Sequence, residues 1–119
     1  MPSGMENWKT QVRKGYLEMC ILLVIQKHER LYGFDLIEKL HRLDLNVKEG
    51  TLYPLLSRMS SEGVLKTQWQ TEGHKGHPRK FYGLTPDGLA FLAMMQDEFS
   101  KMAKVFDQLS KASNQKKKG

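Results

Sequence analysis

Cysteine is almost missing from this chain: among 119 residues there is one, Cys20. A lone thiol excludes an intramolecular disulfide framework and fits the reducing cytoplasm. Long hydrophobic runs are missing too. The run Met19–Ile25, "MCILLVI", spans seven residues, against the ~20 of a membrane helix. It lies too deep, and lacks the small-residue cleavage site, to be a signal peptide, so no membrane partner is expected. Acids are the minority charge. Thirteen Asp and Glu stand against 19 Lys and Arg, giving a formal net charge of +6 and an isoelectric point near 9.5. That balance points to an anionic partner. The constellations of catalysis are absent as well. There is no Ser/His/Asp or Cys/His order in a plausible context, no phosphate-cradling glycine loop and no paired carboxylates in an apolar setting. The sequence therefore excludes an enzyme and calls for no cofactor.

What is present reads as one domain. Val12, Tyr16, Met19 and Leu23 mark a largely buried helix from Gln11 to Lys27. "ERLYGFD" interrupts it, and Ile37 and Leu40 define a shorter helix from Phe34 to Leu43. Asn46, three residues before Glu49, has the spacing of a capping pair for a third helix running to Glu62, which Gly63 ends in a left-handed turn. The period then changes. Leu65, Thr67 and Trp69 alternate with polar residues, as in a half-buried strand, and "KFYGLT" is a second strand. Gly73 and Gly76 shape the hairpin tip between them. Thr85-Pro86-Asp87 opens the last helix with a capping hydroxyl, a first-turn proline and an acid.

The fold class is thus mainly α with a small β-hairpin: a winged helix-turn-helix followed by a long C-terminal dimerisation helix. In that arrangement the third helix enters the DNA major groove and the hairpin, the wing, follows the backbone or minor groove. Residues 1–10 are read as an expression remnant ("MPSG") and an arm, 11–85 as the winged domain, 86–112 as the dimerisation helix and 113–119 as a disordered basic tail. Leu92, Met95, Phe99, Met102, Phe106 and Leu109 recur at intervals of three and four, a heptad seam whose expected partner is a second copy.

On the third helix, Leu52, Leu55, Leu56 and Met59 share one face. Gly50, Tyr53, Pro54, Ser57 and Ser61 lie opposite, with Thr51 and Arg58 at the edge and Lys48 just before it. Apart from Tyr53 that outward face is small, which lets a helix approach base edges closely. Tyr53 reads either as a base-facing side chain or as an aromatic closing the core. His74 and His77 make half a zinc site at best, with no Cys or acid at ligand spacing, and read as polar wing residues. Trp69 is expected to pack beneath the wing. Trp8 reads as a surface aromatic or a dimer contact.

"LYGFDLIEKL", "GTLYPLLSRMSSEGVL" and "GHPRKFYGLTPDGLAFL" together resemble the PadR family of bacterial transcriptional regulators. The likeness runs from about Gly15 to Leu92, and the single C-terminal helix is similar to the smaller PadR subgroup. The resemblance makes Pro54 a family feature and implies a dimeric, ligand-responsive repressor on a palindromic operator of double-stranded DNA. DNA contacts are expected from Thr51, Tyr53 and Ser57 and from Lys48 and Arg58, which flank the outward face of the third helix and read otherwise as ordinary solvated charges, with phosphate contacts from Lys75, Arg79 and Lys80. His77 stands where the family usually has arginine. The likeness also implies a small aromatic or apolar effector near Phe99 and Trp8. The competing reading is an architectural winged-helix protein that coats DNA through charge alone.

Overall fold

The computed structural model describes residues 4–70 and 79–118, without the side chains of 112–118. Helix α1 (Gly4–His28) starts seven residues before the expected Gln11. The added turns carry no helix breaker. Glu6 sits in the first turn, its carboxylate is 3.7 Å from Lys9, and its carbonyl accepts a 2.9 Å hydrogen bond from Thr10. Met5, Trp8 and Val12 carry the three- and four-residue spacing of Tyr16 and Met19 back through these turns, a sequence signal for the earlier start, although all three side chains are exposed. Only farther along does α1 become buried, through Ile21, Leu22 and Ile25.

Glu29 takes a left-handed conformation after α1, and the chain enters β1 (Arg30–Tyr32), a strand not expected from the sequence. Three residues are too few to show a two-residue period. Helix α2 (Gly33–Arg42) follows and buries Leu36 and Leu40. Helix α3 (Glu49–Ser61) begins later than a cap at Asn46 would require, and its N-cap is Lys48, which supplies no side-chain bond. Val47 explains the difference. It is buried in the core, and its carbonyl lies 3.4 Å from His41 Nε2, which holds the segment extended until Lys48.

The end of α3 is as expected. Gly63 adopts φ 81°, its amide donates to Ser60, and the Val64 amide reaches back to the Met59 carbonyl at 2.9 Å. This six-to-one closure satisfies the helix's last carbonyls.

Strands β2 (Leu65–Gln70) and β3 (Arg79–Leu84) pair antiparallel, with Leu65 opposite Leu84 and Gln70 opposite Arg79. Because β1 pairs along the other edge of β3, the order is β1-β3-β2 and the hairpin becomes a three-stranded sheet. Tyr82 carries the central strand into the core, and Phe81 stacks on Tyr32 with ring centroids 3.9 Å apart. The β2 alternation is buried only at Leu65, whereas Thr67 and Trp69 are exposed. Trp69 therefore does not pack beneath the wing.

Helix α4 (Pro86–Lys118) starts as its first residues demand. Thr85 Oγ1 accepts the Gly88 amide at 2.9 Å and donates to the Gly63 carbonyl at 2.5 Å, so one hydroxyl caps α4 and ties it to the end of α3. The helix continues to Lys118, through most of the stretch read as a disordered tail.

The expected seam divides. Leu92 is fully buried in this chain's core and Met95 packs against it. Leu92 is thereby committed to its own chain, whereas Met95 is only partly buried where α4 lies on α1. Beyond them Phe99, Met102, Phe106 and Leu109 are exposed.

Candidate nucleic-acid interface

Helix α3 buries Leu52, Leu56 and Met59. That fixes its rotation and turns Gly50, Thr51, Tyr53, Pro54, Ser57 and Ser61 to solvent, as the residue pattern requires. Pro54 falls on this exposed side, inside the helix. Its ring costs a backbone hydrogen bond.

Tyr53 is neither fully open nor buried. About two-fifths of its surface remains open, yet the ring lies against Gly33 at the start of α2. A Cβ at Gly33 would stand 2.7 Å from Tyr53 Cε1, so the seat exists because that position has no side chain. Partial burial, and then the Glu49 carboxylate one turn earlier, raise the phenol's pKa. Tyr53 therefore presents a neutral hydroxyl at physiological pH.

Beside it opens a cleft of about 490 Å³ between the start of α2 and the sheet, bordered by Phe34, Tyr53, Trp69, Arg79 and Lys80. Two cations hover over rings here. The Arg79 guanidinium lies 5.0 Å from the Tyr32 centroid, and the Lys80 ammonium lies 5.5 Å from that of Trp69. Exposed cation–π contacts of this sort are worth ~0.5–1 kcal/mol. They orient the wing's cations without cancelling their charge. The chemistry available is that of a nucleic-acid surface: cations for phosphate, rings for sugar and base, and a small-faced helix alongside.

Arg58 is paired within its own chain. Its guanidinium bonds Glu18 of α1 and, at 2.7 Å, Glu62 one turn ahead. These two carboxylates brace Arg58 between α3 and α1, and its side chain, about half exposed, stays at the edge of the outward face. Lys48, Thr51 and Ser57 are exposed. Lys75 and His77, with His74 and the tip glycines, lie outside the described residues. Among the described residues no cluster of His, Cys, Asp or Glu forms a metal site.

A second concave site lies between α1 and α4. It measures about 740 Å³ and is lined chiefly by Val12, Tyr16, Met19, Met95, Phe99 and Met102. Phe99 stacks on Tyr16 with centroids 5.8 Å apart. The Tyr16 hydroxyl in turn hydrogen-bonds Cys20, which raises its pKa, while burial raises that of the thiol. Trp8 does not line this site. It stands one turn before Val12 on α1, largely exposed.

Helices packed under a three-stranded wing, with an outward-facing third helix and cations at the wing's base, define a winged-helix DNA-binding domain. Residues 21–94 match the transcriptional regulator PadR-like family. The chain belongs to that family and is a DNA-binding transcriptional regulator, not an enzyme. A PadR-like transcription factor from Bacteroides fragilis is 41% identical, with a TM-score of 0.74 over 87% of this chain and 98% of its own. One from Bacillus cereus is 34% identical, with a TM-score of 0.73 over 83% and 95% of the two chains. A PadR family regulator from Eggerthella lenta is 29% identical, with a TM-score of 0.77 over 87% and 89%. An uncharacterised protein from Lysinibacillus sphaericus is 26% identical over 102 residues, 83% of this chain and 92% of its own. Among the described residues no helix is long and apolar enough to cross a membrane.

Proposed function

We propose that the protein is a cytoplasmic, homodimeric repressor that reads a palindromic operator with α3 and is released by a flat apolar or phenolic effector. The observation that carries this reading is the free half of α4. Phe99, Met102, Val105, Phe106 and Leu109 remain exposed after the chain has built its own core. An apolar stripe of that length is covered in solution, and a second α4 has the matching period. A two-fold dimer presents two copies of α3, which suits a two-fold DNA site. Tyr53, Thr51 and Ser57 are the candidates for base-edge contact. Lys48, Arg79 and Lys80, with Lys75 and His77 at the tip, are the candidates for phosphate contact. Phe99 lines an apolar cleft suited to a flat ligand, and Trp8 stands one turn before the lining residue Val12.

The charge-only architectural reading explains the net charge but not the apolar stripe. Selecting bound sequences from random duplexes at physiological salt separates the two: a repressor enriches a palindrome, and a DNA-coating protein enriches nothing. For the effector, a panel of flat apolar cations and phenolic acids should give a saturable change in Trp8 fluorescence that Phe99→Ala abolishes. No saturable response, or one that Phe99→Ala leaves intact, removes the α1–α4 cleft as the effector site.

A further inference from the structure

Helix α1 has two working faces in its N-terminal half. Val12, Tyr16 and Met19 face α4. Thr10, Arg13, Lys14 and Leu17, at intervals of three and four, form the other face. They line a groove of about 410 Å³ whose far wall is the segment leading into α3, including Lys48 and Thr51. We propose that this groove is a second phosphate-binding surface, in which Arg13 and Lys14 join Lys48 and Thr51 to hold the DNA backbone beside the major groove that α3 enters. The proposal rests on the reading of α3 as the recognition helix.

Three observations carry it. Two elements converge three cations on the groove, and no Asp or Glu lines it. Among the described residues Arg13, Lys14 and Lys48 have no ion-pair partner, whereas Lys9, Arg58, Lys101 and Lys111 each have a carboxylate. The acid nearest in sequence, Glu49, acts on Tyr53 and so belongs to another side of α3. Like charges gathered without a counter-charge repel one another, and an external anion relieves that repulsion.

The groove is also held in place. Buried Val47 and the contact of its carbonyl with His41 anchor the residue before Lys48. Lys48 gives the first turn of α3 no side-chain cap, so its free amides can serve an outside acceptor, with Glu49 the one acid in that turn. A backbone phosphate at that position is met by two lysines, an arginine and a threonine hydroxyl.

The test measures affinity of the full chain for a labelled mixed-sequence duplex across a range of salt. Each phosphate contact contributes roughly 0.9 to the log–log slope. Arg13→Ala with Lys14→Ala should lower the slope by about one to two units per subunit. Arg13→Gln with Lys14→Gln, which keeps side-chain length and helix propensity, should do the same. Lys101→Ala with Lys104→Ala removes equal charge from α4 and should leave the slope unchanged. An unaltered slope in the α1 pairs, or an equal fall in the α4 pair, overturns the proposal. If Lys75→Ala with Lys80→Ala lowers the slope while the α1 pairs do not, α1 is excluded and the wing reading stands. A wild-type affinity independent of salt rejects both.

Discussion

At the scale of single residues, Thr85 joins three parts of the molecule. Its hydroxyl caps α4, donates to the Gly63 carbonyl and lies 3.2 Å from that of Val64. Losing a capping hydroxyl costs ~1 kcal/mol, and up to ~2 in the best-packed cases. Thr85→Ala should therefore lower the melting temperature by roughly 4–8 °C, measured at fixed protein concentration because any self-association couples to stability. Thr85→Ser keeps the hydroxyl and should recover most of the loss. If serine fares no better than alanine, the hydroxyl bonds are not what Thr85 contributes. Arg58 shows the opposite case. Its outward position was visible in the sequence, but its engagement by Glu18, 40 residues away, was not. Long-range pairing of charges leaves no local signature, so the sequence shows Arg58 at the edge of the outward face but not its bracing of α3 on α1.

At the scale of elements, the legible parts were those with local chemistry: the α3 face, its glycine stop, the threonine cap of α4 and the β2–β3 pairing. Each depends on residues within a few positions of one another or, for β2 and β3, on two strands adjacent in the chain. The parts that escaped depend on distant partners. Strand β1 has no period of its own and is defined by pairing with β3 about fifty residues on, Leu31 opposite Tyr82. The start of α3 moved because Val47 found the core. A seam position cannot declare whether it faces its own chain or another, and Leu92 went to its own chain, Met95 only in part.

The division of labour between α3 and the wing is a prediction at this scale. Base contacts carry sequence information, and phosphate contacts carry most of the salt dependence. Lys75→Ala with Lys80→Ala should weaken binding to operator and random DNA alike, and flatten the log–log slope by about one to two units per subunit. Tyr53→Ala should erase most of the preference for operator while nearly preserving that slope. Tyr53→Phe, which keeps the ring in its seat against Gly33, isolates the hydroxyl and guards against a folding defect. Should Tyr53→Ala remain folded and fully specific while the wing pair loses specificity, the two roles are exchanged.

At the scale of the whole molecule, the core and the free half of α4 divide the helix's apolar residues between two tasks. Inside the chain, Leu92 closes the winged domain at 0% exposure. Beyond it, Met102 at 60% and Phe106 at 71% stay largely exposed. Met102→Lys would place an unpaired charge in a helix–helix seam, and a buried charge without a partner is strongly destabilising. Because Met102 contributes nothing to the monomer's core, the winged domain should fold unchanged. On the proposed dimer reading, light scattering at low-micromolar concentration should then find dimer for the parent chain and monomer for the variant. Affinity for a full palindrome should fall by at least tenfold, with affinity for a single half-site hardly altered, since one α3 and one wing remain intact. The salt slope on the palindrome should drop toward half, as the phosphates held by the second subunit are lost. A variant that stays fully dimeric moves the interface off this seam. A monomer that keeps full affinity for the palindrome separates DNA binding from dimerisation altogether.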